Sequence, residues 1–82
     1  MAGVVVMKRA VQAVLDKINE RDSLYEQTWK QIPVEDLIAI ARIKTYRATT
    51  MLSKGNKEKL LDDLIDACAY IVFAIEKLIE GD

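Results

Sequence analysis

Between Asp62 and Ile75 the chain runs Asp-Asp-Leu-Ile-Asp-Ala-Cys-Ala-Tyr-Ile-Val-Phe-Ala-Ile, three acids leading directly into nine residues, Ala67 to Ile75, without a charge. At 3.6 residues per turn, each residue advances about 100° around a helix axis. On that count Leu61, Leu64, Ile65, Cys68, Ile71 and Val72 begin one broad apolar face, continued by Ile75, Leu78 and Ile79. This is the i, i+3, i+4, i+7 pattern of an amphipathic helix. Asp62, Asp63 and Asp66 fall on the opposite side, and Ala69, Tyr70 and Phe73 extend that side in apolar form. From about Ala67 onward the helix is apolar all round, which predicts packing on two sides. Asp66 stands where the acidic side passes under something else, and another subunit is the expected cover. Carboxylates this close repel one another, so cations are expected beside them.

The remaining segments are punctuated by turn and cap signals. Val4, Met7, Val11, Val14, Leu15 and Ile18 recur at helical spacing and predict a first helix over about 4–20. Ser23-Leu24-Tyr25-Glu26 matches the Ser-x-x-Glu capping box and predicts a short helical turn near 23–31, with Tyr25 and Trp29 on one face. Pro33 lacks an N–H and suits the first turn of a helix, and Glu35 and Asp36 then sit at the positive end of its dipole. The second helix is expected over 34–53, with Gly55 as a left-handed stop and Asn56 capping a third helix over about 57–80. Its apolar stripe contains Leu37, Ile40, Ala41, Ala48, Met51 and Leu52. Lys44 lies in the middle of that stripe, and Arg47 lies at its edge beside Ile40 and Ile43.

The chain is thus read as one all-α domain, residues 1–82, of three helices and a short turn. With 82 residues its core is small, yet 51% of the residues are hydrophobic. Assembly of copies into a homodimer or larger bundle would hide the surplus. A net charge of −1 argues against a general or sequence-specific nucleic-acid binder. The lone Cys68 lies in the apolar stripe and reads as a small core residue. Without histidine, and with one cysteine, only oxygen-ligated ions such as Mg²⁺ or Mn²⁺ remain as metal candidates. No apolar run is long enough for a membrane span, and Val4-Val5-Val6-Met7 is too short for a secretory signal core, so a soluble, cytoplasmic protein is expected.

A lysine buried without a partner is costly for so small a chain. If the second and third helices pair antiparallel about Lys54-Gly55-Asn56, Lys44 meets Asp66, and Arg47 comes level with Asp62 and Asp63. Two readings follow. In one, these are ion pairs that fix helix register inside a non-enzymatic bundle, an adaptor or assembly protein. In the other, the carboxylates hold Mg²⁺ or Mn²⁺, Lys44 and Arg47 neutralise phosphate oxygens, and Tyr25 and Trp29 form a wall for a base.

Asp62-Asp63-Leu64-Ile65-Asp66-Ala67-Cys68-Ala69-Tyr70 resembles the third-helix signature of the all-α nucleotide pyrophosphatases, the MazG and dimeric dUTPase group. There Glu-Glu-Leu-Gly-Asp leads into an apolar stretch with a tyrosine. The spread of Tyr25, Trp29, Lys44, Arg47, the acids and Tyr70 is closer to a phage and bacterial branch, the nucleotide-modification-associated domains. The matches cover roughly residues 23 to 75. The resemblance implies binding or pyrophosphohydrolysis of nucleoside triphosphates with Mg²⁺, in a phage or bacterial setting. Asp63 and Asp66 correspond to the metal-binding pair, with Asp62 beside them, Lys44 and Arg47 toward phosphate, and Tyr25, Trp29 and Tyr70 toward the base. The chain departs from the group on the second helix. Where the pyrophosphatases carry Glu-x-x-Glu it offers Lys44 and Arg47, so the acidic box is incomplete.

Overall fold

The computed structural model describes residues 7–25 and 28–81, with the side chains of 23–25 left aside. It is all-α. Helix α1 spans Lys8–Tyr25, a 3₁₀ turn spans Thr28–Gln31, α2 spans Val34–Ser53 and α3 spans Lys57–Ile79. No strand occurs among the described residues, and no described helix is long and apolar enough to cross a membrane.

The punctuation around α2 and α3 acts as its chemistry requires. The Pro33 carbonyl accepts the N–H groups of Asp36 and Leu37 at 3.0 and 3.1 Å, starting α2 with Glu35 and Asp36 in its first turn. Gly55 takes a φ of +71° after α2, a left-handed conformation that carries no Cβ penalty in glycine. Asn56 then caps α3 by accepting the Lys59 N–H at 3.2 Å, a contact of the kind that contributes about 1 kcal/mol.

The first helix departs from expectation. It continues through Ser23 to Tyr25, so Ser23 does not open a new helix, and the short turn begins at Thr28 instead. Tyr25 and Trp29 therefore do not share one helix face. A capping box works only where the serine has left helical geometry, and here Ser23 stays within α1, while Glu26 lies outside the described residues.

Helix α3 is the central element. Its broadest packing is against α2, and α1 lies on its other flank. The core is small, built from Leu37, Ala69, Phe73 and Ala74, with Ile18, Trp29, Ile32, Val34 and Tyr70 packed around it. Burying a side chain such as Phe73 contributes roughly 1.5–3 kcal/mol, and alanines at 41, 48, 67, 69 and 74 allow the helices to approach closely.

The largest difference from the sequence reading is the side of α3 that faces inward. Asp63, Asp66, Ala69, Phe73, Ala74 and Lys77 are buried, whereas Leu64, Cys68, Ile71, Val72, Ile75 and Leu78 are exposed. The acidic side packs within the chain, and the broad apolar face points to solvent. Cys68 is accordingly a surface thiol rather than a core residue. Of the segment Ala67 to Ile75, only the outward half remains available to another subunit, and Phe73 is spoken for by the core. On α2, Leu37, Ala41 and Ala48 are buried as expected, but Leu52 is exposed.

Candidate functional site

Asp66 is where all three helices meet. One of its oxygens, Oδ2, faces Lys44 of α2 at 3.4 Å, and the other, Oδ1, faces Arg21 and Lys17 of α1 at 3.4 and 3.8 Å. One turn earlier, Asp63 is 1% exposed. It accepts from Arg47 through both oxygens, Nη2 to Oδ1 at 2.7 Å and Nε to Oδ2 at 3.2 Å, the two-pronged geometry at which arginine excels. These hydrogen bonds are the main cause that holds the Asp63 carboxyl below its ordinary value. Burial opposes them, and the charges of Arg47, Lys44 and Lys59 add to the lowering. The same bond raises the Arg47 guanidinium.

The two sequence-predicted pairings thus form, Lys44 with Asp66 and Arg47 with Asp63. Asp62 does not join them. It is exposed and lies with Asn56, Glu58, Lys59 and Leu61 around a shallow hollow outside the cluster.

A divalent ion needs several oxygens directed at one point and free to bind it. Every carboxylate oxygen of Asp63 and Asp66 already faces a cation. Among the described residues no group of three His, Cys, Asp or Glu converges on a common point. The donor set as arranged does not fit Mg²⁺ or Mn²⁺.

Beside Asp66 lies an aromatic cleft. Trp29, presented by the 3₁₀ turn, stacks on Phe73 with centroids 4.9 Å apart and planes at 11°, and Tyr70 meets Phe73 edge-on at 6.0 Å. The indole Nε1 donates to Asp22 at 2.7 Å, fixing the ring's orientation. Arg21, Thr28, Trp29, Ile32, Tyr70 and Phe73 enclose a cleft of about 240 Å³. Trp29 and Tyr70 are therefore brought together, while the Tyr25 side chain lies outside the described residues.

Several residues with roles here were not singled out from the sequence. Lys77 is 7% exposed and donates to the carbonyls of Lys30 and Ile32 at 3.0 and 2.6 Å, fastening the 3₁₀ turn to α3. A signal for it existed, since on the 100° count Lys77 falls about 20° from Asp66, between Asp66 and Asp63, on the inward side. Lys17 and Arg21 stand four apart and share one face of α1. Their target was hidden, because no local pattern says which helix lies across from them.

Compared with family models, curated proteins and solved structures, the chain shows no match.

Proposed function

We propose that this domain binds a nucleotide-class ligand, a flat ring joined to phosphate, without a metal centre of its own. The observation that carries the reading is the double position of Arg21. It pairs with Asp66 at 3.4 Å and also lines the aromatic cleft with Trp29 and Tyr70. A ring seated in the cleft has its phosphate end directed at Arg21, with Lys17 and Lys44 next to it, three cations that all face Asp66, Lys17 facing Glu20 as well. Phosphate oxygens make strong charge-assisted hydrogen bonds with cations so gathered. The resemblance to the MazG-like group supports the same ligand class. The incomplete acidic box, with both buried acids neutralised, supports binding rather than hydrolysis. Any Mg²⁺ arrives with the triphosphate, held by its phosphates.

The rival reading, a bundle whose charges serve only to fix register, predicts no ligand. Trp29 is the sole tryptophan of the chain, so its fluorescence reports on the cleft directly. Titration with a nucleoside and with the matching triphosphate should give saturable quenching by both, tighter for the triphosphate. Lys44→Met should weaken the triphosphate more than the nucleoside. Absence of quenching by either compound at millimolar concentration, with Mg²⁺ and without it, removes the nucleotide reading and leaves the register role.

A further inference from the structure

We propose that the outward apolar face of α3 docks a second copy of this chain through a twofold contact. This inference is independent of the nucleotide reading, because the cleft and the ion pairs lie on the opposite side of α3. Leu64, Ile71, Val72, Ile75 and Leu78 form the ridge, each 40–62% exposed. The ridge has an apolar groove on either flank. Toward α1 the groove is lined by Val11, Val14, Leu15 and Ile18 together with Val72, and toward α2 by Ile38, Ala41, Ala74 and Leu78 together with Arg42 and Thr45.

Three features select a copy of the chain as the occupant. The first is shape. A ridge beside its own grooves is self-complementary, since in a twofold contact each copy can lay its ridge into a groove of the other and receive the partner's ridge in return. The second is area. With Leu61, Ile79 and the edges contributed by Val11, Leu15 and Ile38, the exposed apolar surface amounts to on the order of 900 Å², close to the ~800 Å² per partner of a stable interface. It also exceeds the ~300–600 Å² of the largest apolar patch on a typical monomer. The third is charge. The ridge carries none, and a net charge of −1 per chain gives two copies little mutual repulsion.

Light scattering or sedimentation equilibrium of the full chain should give a dimer at micromolar concentration. Ile71 and Ile75 are 44% and 49% exposed within one chain, so a lysine there is solvated in the folded monomer and the variant should keep its helical circular dichroism. In a twofold contact each substitution enters twice, so Ile75→Lys should raise the dissociation constant at least about tenfold. Cys68 supplies a second readout without mutation. It is exposed in the single chain and sits on this face, so its alkylation should slow as protein concentration rises and should be fast and concentration-independent in Ile75→Lys. A monomer at all concentrations with rapid alkylation overturns the proposal. So does a monomer with slow alkylation throughout, which would assign the cover to the same chain. Association of an otherwise monomeric chain with neutral lipid vesicles would assign the face to a lipid surface and overturn it as well.

Discussion

Arg47 of α2 grips Asp63 of α3 through two nitrogens, at 2.7 and 3.2 Å, although the arginine side chain is 53% exposed and the aspartate is 1% exposed. The contact is a lid of positive charge over a buried carboxylate. Its consequence is a pH dependence of known sign. Asp63 stays ionised in the folded chain at pH values where an unfolded aspartate, with a pKa near 3.9, is already taking up its proton. In that window the unfolded state binds more protons, so stability rises with pH. The contribution is therefore complete above the unfolded value and is lost as pH falls through the lower folded value. Arg47→Met should reduce the acid-side slope of unfolding free energy against pH. The measurement is a set of urea titrations across the acid range, and an unchanged slope would deny the pair this role.

Asp66 and Lys44 behave differently, because Asp66 is shared. If Lys44 becomes methionine, Lys17 and Arg21 still face the carboxylate, so no buried charge is stranded. Lys44→Met should cost under about 1 kcal/mol, in the range of a partly solvated ion pair. Asp66→Asn removes the carboxylate that Lys17, Arg21 and Lys44 share, with Glu20 still beside Lys17, and should cost about 3 kcal/mol. Equal costs in denaturant unfolding would mean that Lys44 alone neutralises Asp66.

The outlines of α2 and α3 were legible because Pro33, Gly55 and Asn56 act locally, through backbone groups that they remove, free or satisfy whatever surrounds them. The pairing of Lys44 with Asp66 was legible for a related reason, since a short turn fixes the register of two antiparallel helices. The end of α1 was not, because a serine that matches a capping box can equally remain within a continuing helix, as Ser23 does. The inward face of α3 could not be chosen from periodicity either. A helical wheel reports which face is more apolar, and in a chain with so few partners for that face, the helices closed instead over the side carrying Asp63, Asp66 and Phe73. Inward placement of acids is tolerable only because Lys17, Arg21, Lys44 and Arg47 close with them, a tertiary condition invisible to any single segment.

Lys77 gives a prediction about the cleft wall. Its ammonium donates to the carbonyls of Lys30 and Ile32, and Lys77→Met would leave both acceptors without that donor. The two bonds are part-buried and come from a charged donor, a kind of bond that contributes roughly 1.5–3 kcal/mol, so the variant should be destabilised by that order. The 3₁₀ turn should loosen ahead of global unfolding, which hydrogen exchange at Ile32 and nearby amides reads directly. Unchanged exchange there would place the anchoring of Trp29 elsewhere, in its stacking on Phe73.

The arrangement of Asp63 and Asp66 also fixes what divalent ions should do to the chain alone. An ion entering between them must displace Arg47 from Asp63, or Lys17, Arg21 and Lys44 from Asp66, and each displaced cation then stands beside a divalent charge. A ligand stabilises a fold only to the extent that it binds the folded state, by RT ln(1 + [L]/Kd). Millimolar Mg²⁺ or Mn²⁺ without nucleotide should therefore leave the melting temperature where it is, and chelation should not lower it. With a triphosphate present the melting temperature should rise, and that rise should persist in part after chelation, because the cleft and the cations act on ring and phosphate directly. A rise produced by the metal alone and abolished by Asp66→Asn would show that the carboxylates exchange their cations for an ion. The acids would then serve as metal ligands, as the MazG-like resemblance implies.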